Sequence, residues 1–201
     1  MSKSSKLPIE FYNRDVKSVA KSLLGKIFIR KINDIVLNGR IVEVEAYDGK
    51  NDEASHSYNG LTKRNEVMFG KAGNLYVYFT YGMHFCANVV TGKEGFGAAV
   101  LIRAIEPLEG ISRLAKNRFN KENISQKELI YLCSGPAKIC QAFDLKREQN
   151  GINLSGDEIY ILDVPEIPAS KIVSSPRIGI KKSIDLLWRY YIKDNPFVSK
   201  K

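Results

Sequence analysis

Cysteine is scarce in this sequence, and nothing in its spacing resembles C-x-x-C. The three cysteines are Cys86, Cys133 and Cys140. An odd count without metal-type spacing argues against a disulfide framework, a zinc site and an iron–sulfur site, and for reduced thiols in a cytosolic compartment. Histidine is rarer still, with only two in the chain. No His/Cys cluster is visible, so neither a metal nor another cofactor is expected. No stretch approaches the roughly 20 apolar residues needed to span a bilayer. The opening MSKSSKLPIEF holds no apolar run of secretory-signal length. Internal repeats and low-complexity segments are missing as well. Negative charge is in deficit, with Lys+Arg 31 against Asp+Glu 22 and a formal net charge of +9. That balance suits a polyanionic partner: nucleic acid, a ribosome or an anionic membrane surface.

What is present fits one domain. A length of 201 residues at 44% hydrophobic content fills one core and is too little for two. Residues 1–8 read as a loose polar arm on a single domain covering 1–201. Val16, Val19, Ala20, Leu23 and Leu24 recur at helical spacing behind a capping Asn13 or Asp15. Lys26–Ile32 predicts a strand, and Asn38-Gly39 a tight connection into the next one. Leu75–Tyr81 and His84–Val90 predict a hairpin with Tyr81-Gly82 near its tip. Ala98–Ile105 reads as a buried strand, and Pro107 as the opening of a helix toward Phe119. Ser125-x-x-Glu128 is a capping-box signal, and Pro136 starts a further short helix. Ile159–Leu162, Arg177–Ile180 and Leu187–Ile192 complete the strands, with Trp188 in the core. The fold class is α+β: a single mixed domain with a curved, mostly antiparallel β-sheet, surrounding helices and a protruding β-hairpin.

One segment organises the chemistry. In RIVEVEAYDGKNDEASH, Arg40–His56, alternation sends Val42, Val44 and Ala46 to one face, and Ile41, Glu43, Glu45 and Tyr47 to the other. A face carrying two carboxylates and a tyrosine either meets water or lines a pocket. The long polar loop that follows, Asp48–Gly73, is the kind that is functional or disordered. Arg103 stands alone among apolar residues in AAVLIRAI and requires a carboxylate or an anionic ligand. Glu43 and Glu45 are its candidate partners. The result is either a plain buried ion pair or a carboxylate base and arginine that hold a water.

Tyr47, Tyr76, Tyr78, Tyr81, His56, His84 and Phe85 crowd into the same few elements. Strand aromatics are ordinarily core, but Tyr81 beside a hairpin glycine has no core to enter. An exposed aromatic on a basic protein can wedge between bases or stack on them. Lys63, Arg64, Lys71, Lys138, Lys181 and Lys182 could then meet phosphates, though each alone reads equally as a solvated charge. A basic surface, a wedge, an aromatic pocket and a water-activating carboxylate describe an enzyme that turns a nucleotide out of a duplex.

GRIVEVEAYDGKNDEASHS, NLYVYFTYGMHFCANV, VLIRAIEPLEG, LCSGPAKICQAF, SPRIGI and WRYYIKDNPFVS, in that order, resemble the alkyladenine (3-methyladenine) DNA glycosylase family over nearly the whole chain. The resemblance implies a monofunctional, cofactor-free glycosylase acting as a monomer on double-stranded DNA that contains damaged purines. It would bind from the minor groove and hydrolyse the N-glycosidic bond of alkylated purines, hypoxanthine or ethenoadenine, in the cytoplasm and at the nucleoid if bacterial. By motif position, Glu45 would activate the water and Arg103 help hold it. Tyr81 would fill the gap left by the flipped nucleotide. Tyr47, His56 and Tyr78 would form the stacking pocket, and Asn88 would meet the base edge and reject guanine. The segment Lys181–Leu186 departs from the family, being short and lysine-bearing at one edge of the pocket.

Two other readings fit the same residues. In a non-catalytic nucleic-acid-binding module, Glu45 and Arg103 would serve stability alone. A Mg²⁺-dependent phosphohydrolase built on Glu43, Glu45, Asp52 and Glu53 would lose activity to a chelator. A glycosylase would not.

Overall fold

The computed structural model describes residues 5–200. Local signals place the helices. α1 (Ile9–Tyr12) is a single turn, and α2 (Val16–Leu23) is capped by Asp15, whose carboxylate accepts the Ser18 N–H at 2.9 Å. Val16, Val19, Ala20 and Leu23 are the buried stripe of α2. The strands are β1 (Ile27–Ile32), β2 (Ile35–Tyr47), β3 (Leu75–Thr80), β4 (His84–Thr91) and β5 (Ala98–Glu109). Next come α3 (Ile111–Phe119), α4 (Gln126–Leu132) and α5 (Pro136–Ala142). β6 (Ile159–Leu162), β7 (Ile172–Ser175) and β8 (Arg189–Ile192) complete the sheet. α4 carries the full capping box between Ser125 and Glu128, and α5 begins at Pro136.

All strand pairings among the described residues are antiparallel, in the order β3-β4-β5-β2-β1-β6, with β8 against β2 and β7 against β8. The sheet curls, and the main core lies between it and α2, α3 and α5. The fold is the expected α+β class in one domain.

Six local expectations are corrected. Asn38-Gly39 is not a turn, because β1 and β2 turn at Asn33-Asp34 and remain paired through Ile27↔Arg40. Gly39 serves close approach instead: a Cβ there would lie 2.4 Å from the Ile105 side chain and 2.6 Å from the Glu106 carbonyl. Pro107 does not open a helix. β5 runs on to Glu109, with Pro107 opposite Gly39 beside a register shift, and α3 follows Gly110. Arg177–Ile180 forms no strand, since the Ile178 N–H is given to the Glu45 carboxylate. Trp188 is half-buried against the edge of the core. In the N-terminal segment, residues 1–4 lie outside the described residues. The rest is tied down, with Leu7 buried and its N–H donated to the Ile161 carbonyl at 2.8 Å.

The sixth correction matters most for the site. β2 and β5 both slip register around Glu43, where Ile41↔Ile105 is followed by Glu43↔Ala104 and then Val44↔Ile102. Strict alternation groups Ile41 with the glutamates. The bulge instead puts Ile41 in the main core with Val44 and Ala46, and sends Val42 to a small cluster with Ala104 and Phe197. Glu43, Glu45, Tyr47 and Arg103 share the remaining face.

Candidate active site

That face is continuous across four strands. Register sets Tyr76 beside Asn88, Asn88 beside Leu101 and Leu101 beside Glu45, one residue from each of β3, β4, β5 and β2. Two residues along, Tyr78 lies beside Cys86, and Tyr47 and Arg103 flank the row. Over this floor stand two walls outside the sheet, one from the loop after β2 and one from residues 178–182. Together they enclose a cavity of about 590 Å³, the size class of small-ligand sites.

Both glutamates are fully buried, and their partners differ. Glu43 accepts from Arg189 Nε at 2.6 Å, Arg103 Nε at 3.2 Å, the Ser199 N–H at 2.6 Å and the Ser199 hydroxyl at 2.9 Å. Its acceptor capacity is filled. Glu45 accepts from Tyr47 Oη at 2.8 Å and the Ile178 N–H at 2.7 Å, and pairs with Arg103 Nη1 at 3.3 Å. Tyr47, Arg103 and Ile178 all line the cavity, so the Glu45 carboxylate lies one bond below its floor. Burial alone would lower the Arg103 pKa. The two carboxylates outweigh that and raise it, which fixes the guanidinium as a cation.

Aromatic rings form the sides. Tyr76 and Tyr78 stack with centroids 5.3 Å apart, and His56 meets Tyr78 edge-on at 4.5 Å. His56 Nδ1 lies 3.2 Å from Tyr76 Oη. The crowding protein pushes the His56 pKa down from 6.5 to about 4, with Arg64 adding to the effect, so its imidazole is neutral near pH 7. Burial raises the Tyr76 phenol to about 12 and the Tyr47 and Tyr78 phenols also rise. Asn88 is 5% exposed, and its Nδ2 donates to the Tyr76 carbonyl at 3.1 Å, which pins the amide in the floor. Burial also raises the Cys86, Cys133 and Cys140 thiols, leaving them protonated and unreactive.

At the rim is the β3–β4 hairpin. Its tip, Tyr81-Gly82-Met83, holds Tyr81 at 82% exposure with a left-handed φ of 50°. Met83 beside it is 70% exposed. A tip this apolar and this open has no packing role within the fold. Lys181 and Lys182 also line the cavity, and Lys182 reaches Glu53 at 3.0 Å.

The structure thus brings Glu45, Arg103, Tyr47, His56, Tyr78, Asn88, Tyr81, Lys181 and Lys182 to one cavity. Arg64 joins its outer edge, with its guanidinium 5.7 Å from the Tyr78 ring centre. Lys63 is exposed on the same loop, away from the cavity lining. Lys138 is elsewhere, its ammonium 3.4 Å from the Tyr131 ring centre and 3.3 Å from the Ser134 hydroxyl. The carboxylate group that suggested a Mg²⁺ site is dispersed: Glu43, Glu45 and Asp52 each bind arginine, and Glu53 binds Lys182.

Sequence reasoning missed Arg177. Its side chain is fully buried and holds Asp52 in a two-pronged pair, Nη1–Oδ2 at 2.5 Å and Nη2–Oδ1 at 2.7 Å. No periodic pattern marks it, because it lies outside any strand or helix. The flanking SPRIGI motif was its only signal.

The chain is similar to known proteins over nearly its whole length. The family model described as methylpurine-DNA glycosylase matches residues 10–196. A Clostridium acetobutylicum protein named "Putative 3-methyladenine DNA glycosylase" is 47% identical over 200 residues, covering 96% of this chain and 97% of its own. A Clostridium perfringens protein of the same name is 47% identical over 200 residues, covering 96% and 98%. One from Alkaliphilus oremlandii is 46% identical over 202 residues, covering 98% and 100%.

Proposed function

The chain belongs to the methylpurine-DNA glycosylase family, and from that premise we propose that it excises alkylated and deaminated purines from double-stranded DNA by hydrolysis of the N-glycosidic bond. The observation that carries this reading is the pairing of a buried carboxylate and arginine, Glu45 and Arg103 at 3.3 Å, with an aromatic cavity beneath an exposed tyrosine. A nucleotide cannot reach that carboxylate while stacked in a duplex, so it must turn out of the helix. Tyr81 enters the gap it leaves. The purine lies between Tyr47 on one side and His56 and Tyr78 on the other, and Asn88 meets its edge, where a guanine 2-amino group is rejected.

Glu45 and Arg103 hold the attacking water on the cavity side, at the acceptor position of Oε2 that Tyr47 leaves free. The water oxygen bonds to C1′ and the C1′–N9 bond breaks, its electron pair leaving with the base. A purine alkylated at N3 or N7 carries positive charge, so that pair neutralises it and no acid is needed for departure; neutral hypoxanthine or ethenoadenine leaves as the N9 anion and takes its proton from solvent water. The proton of the water passes to Glu45, whose negative charge has faced the developing oxocarbenium ion throughout. Water is the nucleophile, so the product is an intact strand with an abasic site. The protein acts as a monomer in the cytoplasm, steered to DNA by its +9 net charge.

Duplexes carrying one ethenoadenine, hypoxanthine or 7-methylguanine test the proposal. Alkali-sensitive sites at the lesion, formed with chelator present, support it. Tight binding without cleavage of any lesion contradicts it and leaves the binding-module reading.

A further inference from the structure

We propose that Asp52 and Arg177 are positioning residues for this excision, acting through two of the three groups that bind Glu45; the inference rests on the glycosylase reading. The cavity walls, residues 48–65 and 176–187, are not strands, so no sheet ladder sets their distance from the floor. Asp52 lies in one wall and Arg177 in the other, and both side chains are fully buried. Their two-pronged pair is the buried charged bolt between the walls, beside the exposed pair of Lys182 and Glu53 at 3.0 Å. A lighter contact supports it, the Glu53 N–H donated to the Ser183 hydroxyl at 3.1 Å.

The guanidinium of Arg177 does more than pair. Nη1 also donates to the Ala46 carbonyl at 2.9 Å, in the peptide that joins Ala46 to Tyr47. Its central carbon lies 4.6 Å from the Tyr47 ring centre and 5.4 Å from that of Trp188. The next residue, Ile178, places its N–H 2.7 Å from Glu45 Oε1, and the Tyr47 hydroxyl lies 2.8 Å from Oε2. Two of the carboxylate's three partners are therefore set by where Arg177 sits. Arg103, the third, comes from the sheet. Asp52 in turn sets Arg177: its two oxygens match the planar fork, and a lysine cannot reproduce that geometry. A shift of the carboxylate by a fraction of an ångström to 1 Å is enough to lower a rate by orders of magnitude while leaving DNA affinity alone.

The experiment measures two quantities for wild type, Asp52→Asn and Arg177→Lys, each well below its Tm. One is the single-turnover excision rate on a hypoxanthine duplex with enzyme saturating. The other is affinity for a duplex holding an uncleavable abasic analogue. The expected result is a rate constant lower by about 10–100-fold with affinity changed less than about threefold. A lower Tm with the wild-type rate constant overturns the inference, because the pair then serves stability alone. Should either variant fail to fold, Asp52→Glu decides. It keeps the charge pair but displaces the guanidinium by one methylene, so a rate loss supports positioning and a wild-type rate overturns it. If wild type excises and Glu45→Gln does not, while the Asp52 and Arg177 variants match wild type, only this inference fails. If wild type itself excises nothing, the glycosylase reading fails with it.

Discussion

Glu43 and Glu45 stand two residues apart on β2, share the guanidinium of Arg103, and are held in different ways. Arg103 gives its Nε to Glu43 at 3.2 Å and its Nη1 to Glu45 at 3.3 Å. Glu43 is enclosed by a second arginine and by both the amide and the hydroxyl of Ser199. Glu45 faces the cavity through partners that themselves line it. One carboxylate is built into the fold and the other is proposed for the chemistry. The two should separate on mutation.

Glu43→Gln removes the carboxylate that buried Arg189 pairs with and one of the two that buried Arg103 pairs with. Breaking a buried ion pair from one side costs about 3–5 kcal/mol. A fall in unfolding free energy of that size, read from a lower urea midpoint with unchanged slope, is the expected outcome. A midpoint within experimental error of wild type contradicts the structural role.

Tyr81→Ser removes the exposed tip without touching the core, since Tyr81 is 82% exposed. Stability should not change. Affinity for a lesion duplex should fall by about 1–3 kcal/mol, the worth of one stacked aromatic. Unchanged affinity in a filter or anisotropy titration rules out the wedge.

His56 should remain neutral through the physiological range. Its folded pKa of about 4 lies below its ordinary 6.5. The folded state therefore binds fewer protons than the unfolded state between these values. The sign follows: this contribution to stability is present above pH 6.5 and is lost as pH falls from 6.5 through 4. An NMR titration of the His56 ring, assigned with a His84→Gln variant, should show a midpoint near 4. A midpoint near 6.5 contradicts the crowded site.

Lys181 and Lys182 line the cavity and are proposed to meet the DNA backbone. Replacing either with alanine should weaken lesion and undamaged duplexes alike, and reduce the slope of log K against log salt by about 1. An unchanged slope removes that residue from the phosphate contacts. Lys182 pairs with Glu53 on an open surface, so stability should shift by less than about 1 kcal/mol.

Much of the site was legible because strands repeat every two residues and chemistry-bearing types are conspicuous at that period. Glu45, Tyr47, Tyr76 and Tyr78 all follow it, and Arg103 betrayed itself by standing charged among apolar neighbours, whereas Asn88 came only through the family resemblance. The capping box of α4 and the β3–β4 hairpin were equally plain. The bulge around Val42 was not, because it arises from how β2 fits β5 and leaves no mark in either strand's own pattern. The same holds for Pro107, where pairing with β2 carried the strand past a residue that locally favours a helix start. Arg177 and Asp52 were hidden for a different reason. Their partnership spans 125 positions and joins two irregular segments, where no period exists to read.

The most direct test of the account is single-turnover excision by Glu45→Gln on an ethenoadenine or hypoxanthine duplex, with affinity for that duplex measured alongside. The glutamine keeps the size and the Tyr47 and Ile178 contacts but cannot take a proton from water. The account predicts a rate lower by at least about 10²–10⁴-fold, the worth of a positioned base, with binding retained. Excision at the wild-type rate would contradict it and leave Glu45, like Glu43, a buried partner for Arg103.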